Sequence, residues 1–213
     1  MKLIIGDKNL SSWSLRPWLA MKAFGIPFEE IKIFLDRPNT TAEILKYSPS
    51  ARVPCLIDGD LVIPESLAIL EYLAEKYPTK KMWPEEMKTR AQARAVSHEM
   101  HGGFLALRTT CPHKVKERYP NFDYSKAKND VTRIEQIWAE CLKKSKDSGL
   151  DKLGPYLFGA FSIADAMYAP VVNRFRAYHI QVSPLSRQYM EVILKHPEMQ
   201  EWEKDALEEV GGA

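Results

Sequence analysis

Long apolar runs are missing from this sequence. The first short one, Leu3-Ile4-Ile5, is cut off by Gly6-Asp7-Lys8. That is too short for a signal peptide or a membrane span, so the chain is expected to start directly on a strand. Cysteine is scarce. Cys55, Cys111 and Cys141 share no C-x-x-C or Cys/His ligand spacing, which argues against a disulfide framework and a zinc site and fits a reducing cytoplasm. Neither sign of charge is in excess: 30 Lys and Arg stand against 28 Asp and Glu, and a net charge of +2 gives no reason to expect nucleic acid or a membrane surface as partner. Internal repeats and low-complexity tracts are absent. What is there is ordinary for a globular protein, 213 residues with 45% hydrophobic and 27% charged, enough for one domain or two.

Taken in order, residues 3–5 read as a buried strand. Residues 14–24 read as a helix with Ser14 as N-cap, Pro17 in the first turn and Gly25 as its end. Residues 28–35 alternate loosely as a second strand, which makes a β-α-β unit. A helical turn over 42–47 follows. Strands at 53–57 and 61–63 are then joined by the tight Asp58-Gly59-Asp60 turn as an antiparallel hairpin, and a helix runs over 66–76. Pro78 to Pro84, with its lysines, reads as a linker. Beyond it the pattern is helical: 85–107, softened at Gly102-Gly103, then 124–146, 162–178, 184–194 and 197–210. The expected organisation is an α/β half over residues 1–77, a linker over 78–84 and an all-helical half over 85–213.

Four stretches bear on function. Proline lacks an N–H and forces the residue before it to be extended, so backbone groups at Val53-Pro54 stay free for an extended partner. Glu65-Ser66 opens a helix whose loose N–H groups and positive dipole end favour a carboxylate. Together they read as a site for a small peptide-like anion. The stretch from Leu10 to Arg16 joins the first strand to the first helix, where α/β sheets place their ligands. A serine hydroxyl there donates to an anion and, for a bound thiol, favours the thiolate; the same serines can equally cap and turn the backbone. No histidine is close in sequence and no G-x-S-x-G elbow is present, so a nucleophilic triad serine is not supported. Ser162-Ile163-Ala164-Asp165 reads as a capping box, structural and not catalytic.

The order Ser11-Ser12-Trp13-Ser14, Arg52-Val53-Pro54, Glu65-Ser66-Leu67-Ala68-Ile69-Leu70-Glu71-Tyr72-Leu73, a basic linker and Ser162-Ile163-Ala164-Asp165 resembles the cytosolic glutathione transferases. The resemblance covers essentially the whole chain and is strongest to the serine-type classes, zeta above all. It implies a thioredoxin-like α/β N-terminal domain, an all-α C-terminal domain carrying the electrophile site, and a homodimeric detoxification enzyme that takes glutathione as co-substrate and no metal. It also implies Ser11 as donor to the glutathione sulfur, with Ser12 next in line. Val53 would pair through its main chain with the cysteinyl part, with Pro54 in cis. Glu65 would bind the γ-glutamyl ammonium and Ser66 its carboxylate, and Asn39 with Thr40 would lie near the glycine end. Two residues depart from the zeta pattern. Trp13 stands where a cysteine is usual and either walls the sulfur from water or packs between the domains, and Arg52 stands where glutamine is usual, beside the glutathione site.

The second substrate is expected between the domains, around Met100, His101 and Phe104. Met100, Phe104 and Arg108 (i, i+4, i+8) share one face if the helix runs through Gly102-Gly103. Arg174 and Arg176 could add charge for an acidic electrophile, although each of Arg108, Arg174 and Arg176 taken alone is more readily solvated or ion-paired. The expected function is activation of the glutathione thiol by a serine hydroxyl and its addition to a small electrophile. The alternatives are a glutathione-dependent cis-trans isomerase of a small diacid and a non-catalytic binding protein of the same fold. The absence of cysteine from residues 11–14 argues against a thiol-disulfide oxidoreductase.

Overall fold

The computed structural model describes residues 1–209; Val210, expected as the last helical residue, lies outside the described residues. The first part runs β1 (Lys2–Gly6), α1 (Ser12–Ala23), β2 (Glu29–Ile33), α2 (Thr40–Leu45), β3 (Cys55–Asp58), β4 (Leu61–Pro64) and α3 (Ser66–Lys76). Its sheet has the order β2-β1-β3-β4, with β1 parallel to β2 and β3 antiparallel to both β1 and β4. Alternate side chains of β1 point to opposite faces. Leu3 and Ile5 pack with Leu15, Leu19, Leu67 and Leu70 of α1 and α3, while Ile4 packs with Ile33, Ile44 and Cys55 on the α2 side. This is a thioredoxin-like domain with a mixed sheet. Because α1 is the crossover from β1, its N-terminus opens at the carboxyl end of that strand, where such sheets hold ligands.

The helical domain comprises α4 (Met87–Gly102), α5 (Leu105–Thr110), α6 (Lys128–Asp147), α7 (Ile163–Ala177), α8 (Pro184–Leu194) and α9 (Pro197–Glu208). Helix α7 is buried from Ile163 to Arg174 and packs against α1 and α4. A buried helix start cannot leave its polar groups to water, so Asp165 serves as a hub. Its Oδ2 accepts from the Ser162 N–H and hydroxyl, both at 2.9 Å, and its Oδ1 accepts from Leu157 N at 3.0 Å and the Tyr189 hydroxyl at 3.1 Å. Burial pushes the Asp165 carboxyl up to about 6 against these donors.

Three of the local differences from expectation bear on the site. Ser11, not Ser14, caps α1, accepting from Ser14 N at 3.3 Å, so Pro17 falls in the second turn and cannot donate to the Trp13 carbonyl. Strand β3 begins at Cys55, leaving Val53 outside the ladder. The long helix does not soften at its glycine pair but ends there: Gly103 is extended, its N–H closes on Glu99 O at 2.8 Å, and a Cβ on it would meet that carbonyl oxygen at 2.7 Å. Phe104 then takes a positive φ of 58° and α5 restarts. Met100, Phe104 and Arg108 therefore do not share one helical face.

Candidate functional site

Two clefts meet at Trp13, Arg52 and Val53. One, of about 340 Å³, extends to Ser50, Pro54, Pro64, Glu65, Ser66 and His101; the other, of about 330 Å³, extends over Ser11 and Ser12 to Leu35, Asp36, Thr40 and Ala51. The Val53–Pro54 peptide is cis. With Val53 outside the β3 ladder, an extended main chain can lie along it between the two helix N-termini.

At the α3 end, Glu65 takes a φ of 95° and caps the helix itself. Its Oε1 accepts from Leu67 N and the Ser66 hydroxyl, each at 3.0 Å, and its Oε2 accepts from Ala68 N at 3.0 Å. His101 from α4 brings Nε2 to 2.7 Å from Oε1. Burial alone would raise the Glu65 carboxyl, but the two amides, with His101 and Ser66, outweigh it and hold it below the ordinary glutamate value. The helix end expected to be open for a ligand carboxylate is thus largely filled by Glu65.

At the α1 end the three serines divide. The Ser11 hydroxyl donates to Ser14 Oγ at 2.7 Å, and Ser14 Oγ also accepts the Gly6 N–H at 3.0 Å. Ser12 Oγ instead accepts from Arg174 Nη2 at 3.2 Å, which leaves the Ser12 proton for another acceptor. Trp13 is half-buried between the Arg16 guanidinium, 4.1 Å from the ring centre, and that of Arg108, at 5.3 Å, with the His101 ring edge-on at 5.4 Å. The indole therefore walls both clefts and also packs between the domains. The arrangement can hold a small peptide with a carboxylate–cation pair at one end and a hydroxyl donor under a thiol at the other.

Residues 10–76 match the family model for the glutathione S-transferase N-terminal domain, and residues 123–205 match that for the C-terminal domain. Maleylacetoacetate isomerase of Rattus norvegicus is 30% identical over 187 residues, which is 83% of this chain and 79% of that protein. The chain belongs to the glutathione S-transferase family. Glutathione S-transferase 1 of Dianthus caryophyllus is 36% identical over 91 residues, a match that spans 43% of this chain and only 41% of that protein. The fold overlays on that of a glutathione transferase homologue from Burkholderia, solved with bound glutathione, with a TM-score of 0.73 at 24% identity over 98% of both chains.

Within this transferase fold, the clefts bring together Ser11, Ser12, Trp13, Arg52, Val53, Pro54, Glu65, Ser66 and His101. Others fall elsewhere. Met100 is 0% exposed and belongs to the core, and Phe104 is buried at the α4–α5 break. Asn39 is exposed and lines neither cleft, whereas its neighbour Thr40 does. Arg174 is 4% exposed; besides Ser12 it donates from Nε to Cys111 O at 3.0 Å, so it lies beneath the site and not in its wall. Arg176 turns to Glu203 at 2.8 Å.

Sequence reading missed the residues that hold the serine loop. Lys8 N and Asn9 N donate to the two Glu209 carboxylate oxygens at 2.8 and 3.2 Å, and Asn9 Oδ1 accepts from Val115 N and Lys116 N. Buried Lys8 pairs with Asp205 at 2.6 Å and Glu30 at 3.0 Å. Arg16 was missed too, although a lone arginine among Leu15, Pro17, Trp18 and Leu19 was a visible anomaly.

Proposed function

We propose that the chain binds glutathione along Val53, with Glu65 taking the γ-glutamyl ammonium and the Ser66 N–H its carboxylate, and adds the thiolate to a small electrophile. The observation that carries this reading is the joining of the two clefts at Val53 and Trp13, with Glu65-Ser66 at one end and Ser12 at the other. Ser12 supplies the hydroxyl to the sulfur, because the Ser11 proton is committed to Ser14. A cysteine thiol ordinarily ionises near pH 8.5, and each unit by which the site lowers that value stabilises the thiolate by about 1.4 kcal/mol. Ser12 lies in the first turn of α1, whose N-terminal N–H groups favour the same anion. The electrophile enters beside Trp13, His101 and Arg108. The glutathione held by the Burkholderia neighbour supports the ligand.

A second reading, isomerisation of a small diacid through a transient glutathione adduct, is favoured by Arg108 behind the Trp13 ring and by the rat relative's isomerase name. We also assign the protein to the cytoplasm as a homodimer; exposed Leu61 and Val62 on the outer strand β4 support a subunit contact there. Among the described residues no helix is long and apolar enough to cross a membrane. Calorimetry with glutathione, followed by turnover of an aromatic halide and of a maleyl-type diacid, tests these readings. Binding with halide turnover supports conjugation, and diacid turnover alone supports isomerisation. No binding at millimolar glutathione overturns both in favour of a non-catalytic protein.

A further inference from the structure

Two guanidiniums lie under the serine loop with no carboxylate within ion-pair distance among the described residues. Arg16, 1% exposed, stacks on Trp13 and donates from Nε to Met167 O of α7 at 3.2 Å. Arg174 crosses from α7 to Cys111 O and Ser12 Oγ. Every acceptor either one holds is neutral, and Nη1 of each is buried without a partner. Burying a charge without a counter-charge is costly, and a fold that keeps two such charges side by side is arranged for an anion that arrives later.

The surrounding titratable groups do not supply that anion. Arg108 faces both guanidiniums and is itself a cation; Glu65 and Tyr168 face Arg16; Cys111 and Tyr178 face Arg174; and buried His113 faces both. Of these only Glu65 is an acid ionised near neutral pH; it caps α3 and pairs with His101 and forms no ion pair with either guanidinium. Burial, with repulsion from Arg174 and Arg108, lowers Arg16 to about 9, and burial, with repulsion from Arg108, lowers Arg174 to about 10, so both stay charged at neutral pH.

We propose that Arg174 is a positioning residue that makes Ser12 Oγ an acceptor on its buried side, so that the hydroxyl proton points into the cleft, and that Arg174 with Arg16 supplies the positive field holding the bound thiol as thiolate. This rests on the assignment of the glutathione sulfur to Ser12. The S–H bond ionises, its proton passes to solvent water, and Ser12 keeps its own proton. A serine hydroxyl has one proton to give, and the guanidinium decides where it goes. Arg174 thereby acts on the nucleophile from behind and does not touch the electrophile.

The test is the pKa of bound glutathione, read from thiolate ultraviolet absorbance across pH in wild type, Arg174→Met, Arg174→Lys, Ser12→Ala and the Ser12→Ala/Arg174→Met double variant. Arg174→Met is expected to raise the bound-thiol pKa by about one unit, a tenfold loss of thiolate below that pKa, with glutathione affinity for the protonated form unchanged. Arg174→Lys keeps the charge and recovers part of the shift. The double variant shifts by less than the sum of the singles, because the two residues share one hydrogen bond. A folded Arg174→Met with wild-type thiol pKa overturns the proposal; should Arg174→Met fail to fold, a folded Arg174→Lys whose bound-thiol pKa equals that of wild type overturns it instead. Absence of glutathione binding by wild type, or an unlowered thiol pKa there, overturns instead the functional reading beneath it.

Discussion

His101 Nε2 of α4 stands 2.7 Å from Glu65 Oε1 at the start of α3. A side chain of the helical domain thus occupies a lone pair on the carboxylate assigned to the ligand ammonium. Releasing it is expected to help the ligand: His101→Ala should tighten glutathione binding about threefold, a modest gain because the pair is partly exposed. Glu65→Gln should weaken binding about tenfold, as the loss of one charge-assisted contact predicts. Calorimetry on both variants checks the pair, and equal affinities for all three proteins would remove Glu65 from the ligand site.

Ser11 and Ser12 are neighbours with opposite duties. Ser11→Ala removes the α1 cap and should lower unfolding free energy by about 1 kcal/mol, seen in urea titration. Ser12→Ala leaves the cap in place and should instead slow conjugation by roughly tenfold to a hundredfold through a raised thiol pKa. Stability loss in Ser12→Ala with undiminished turnover would reverse the assignment.

The floor of the serine loop is Gly6. A Cβ there would meet Leu35 Cδ1 at 2.8 Å and Ser11 Cβ at 2.9 Å. Leu35 can swing away, but Ser11 Cβ moves only with the backbone that carries Ser12. Gly6→Ala should cost about 1–3 kcal/mol by overpacking and should also reduce kcat, because the displaced loop carries the thiol donor. Unchanged kcat at reduced Tm would show that the loop absorbs the methyl without moving Ser12.

Local signals account for what was readable. The helix over 66–76 and the helix over 184–194 were placed at their observed bounds, because a polar residue or a proline opens each one and the apolar period carries through. The hairpin around Gly59 followed from its turn. The cap of α1 did not, because Ser11, Ser12 and Ser14 are degenerate as caps until the Gly6 N–H claims Ser14. At the second glycine of the Gly102-Gly103 pair, sequence shows permission to bend; that the chain does bend depends on Phe104 accepting a positive φ. At the site, motif order pointed to Glu65, Val53 and the serine pair, with Ser11 ahead of Ser12; the bond from Ser11 to Ser14 that turns the proposal to Ser12 has no local signature. The bond between Arg174 and Ser12, 162 residues apart, was not legible either, since no local pattern encodes which distant helix supplies a partner.

Asp165 offers a prediction whose sign separates burial from capping. Its carboxyl is held up at about 6 against an ordinary 3.8, with burial as the leading cause. Between those two values the folded protein keeps a proton that the unfolded chain has released, so unfolding free energy should fall as pH rises through this window and level off above it. The shift of about two units corresponds to a span on the order of 3 kcal/mol. Glu65, held below its ordinary value, works in the opposite direction at the acid end, so the wild-type slope alone mixes the two. Asp165→Asn isolates the term. It abolishes the Asp165 slope, and it also lowers stability throughout by about 1–3 kcal/mol, because an amide nitrogen cannot accept the buried Ser162 N–H. The difference between the urea unfolding free energies of wild type and Asp165→Asn should therefore be larger at about pH 4 than at about pH 7. A difference that grows with pH would mean that the four donors around Asp165 outweigh its burial and hold it ionised.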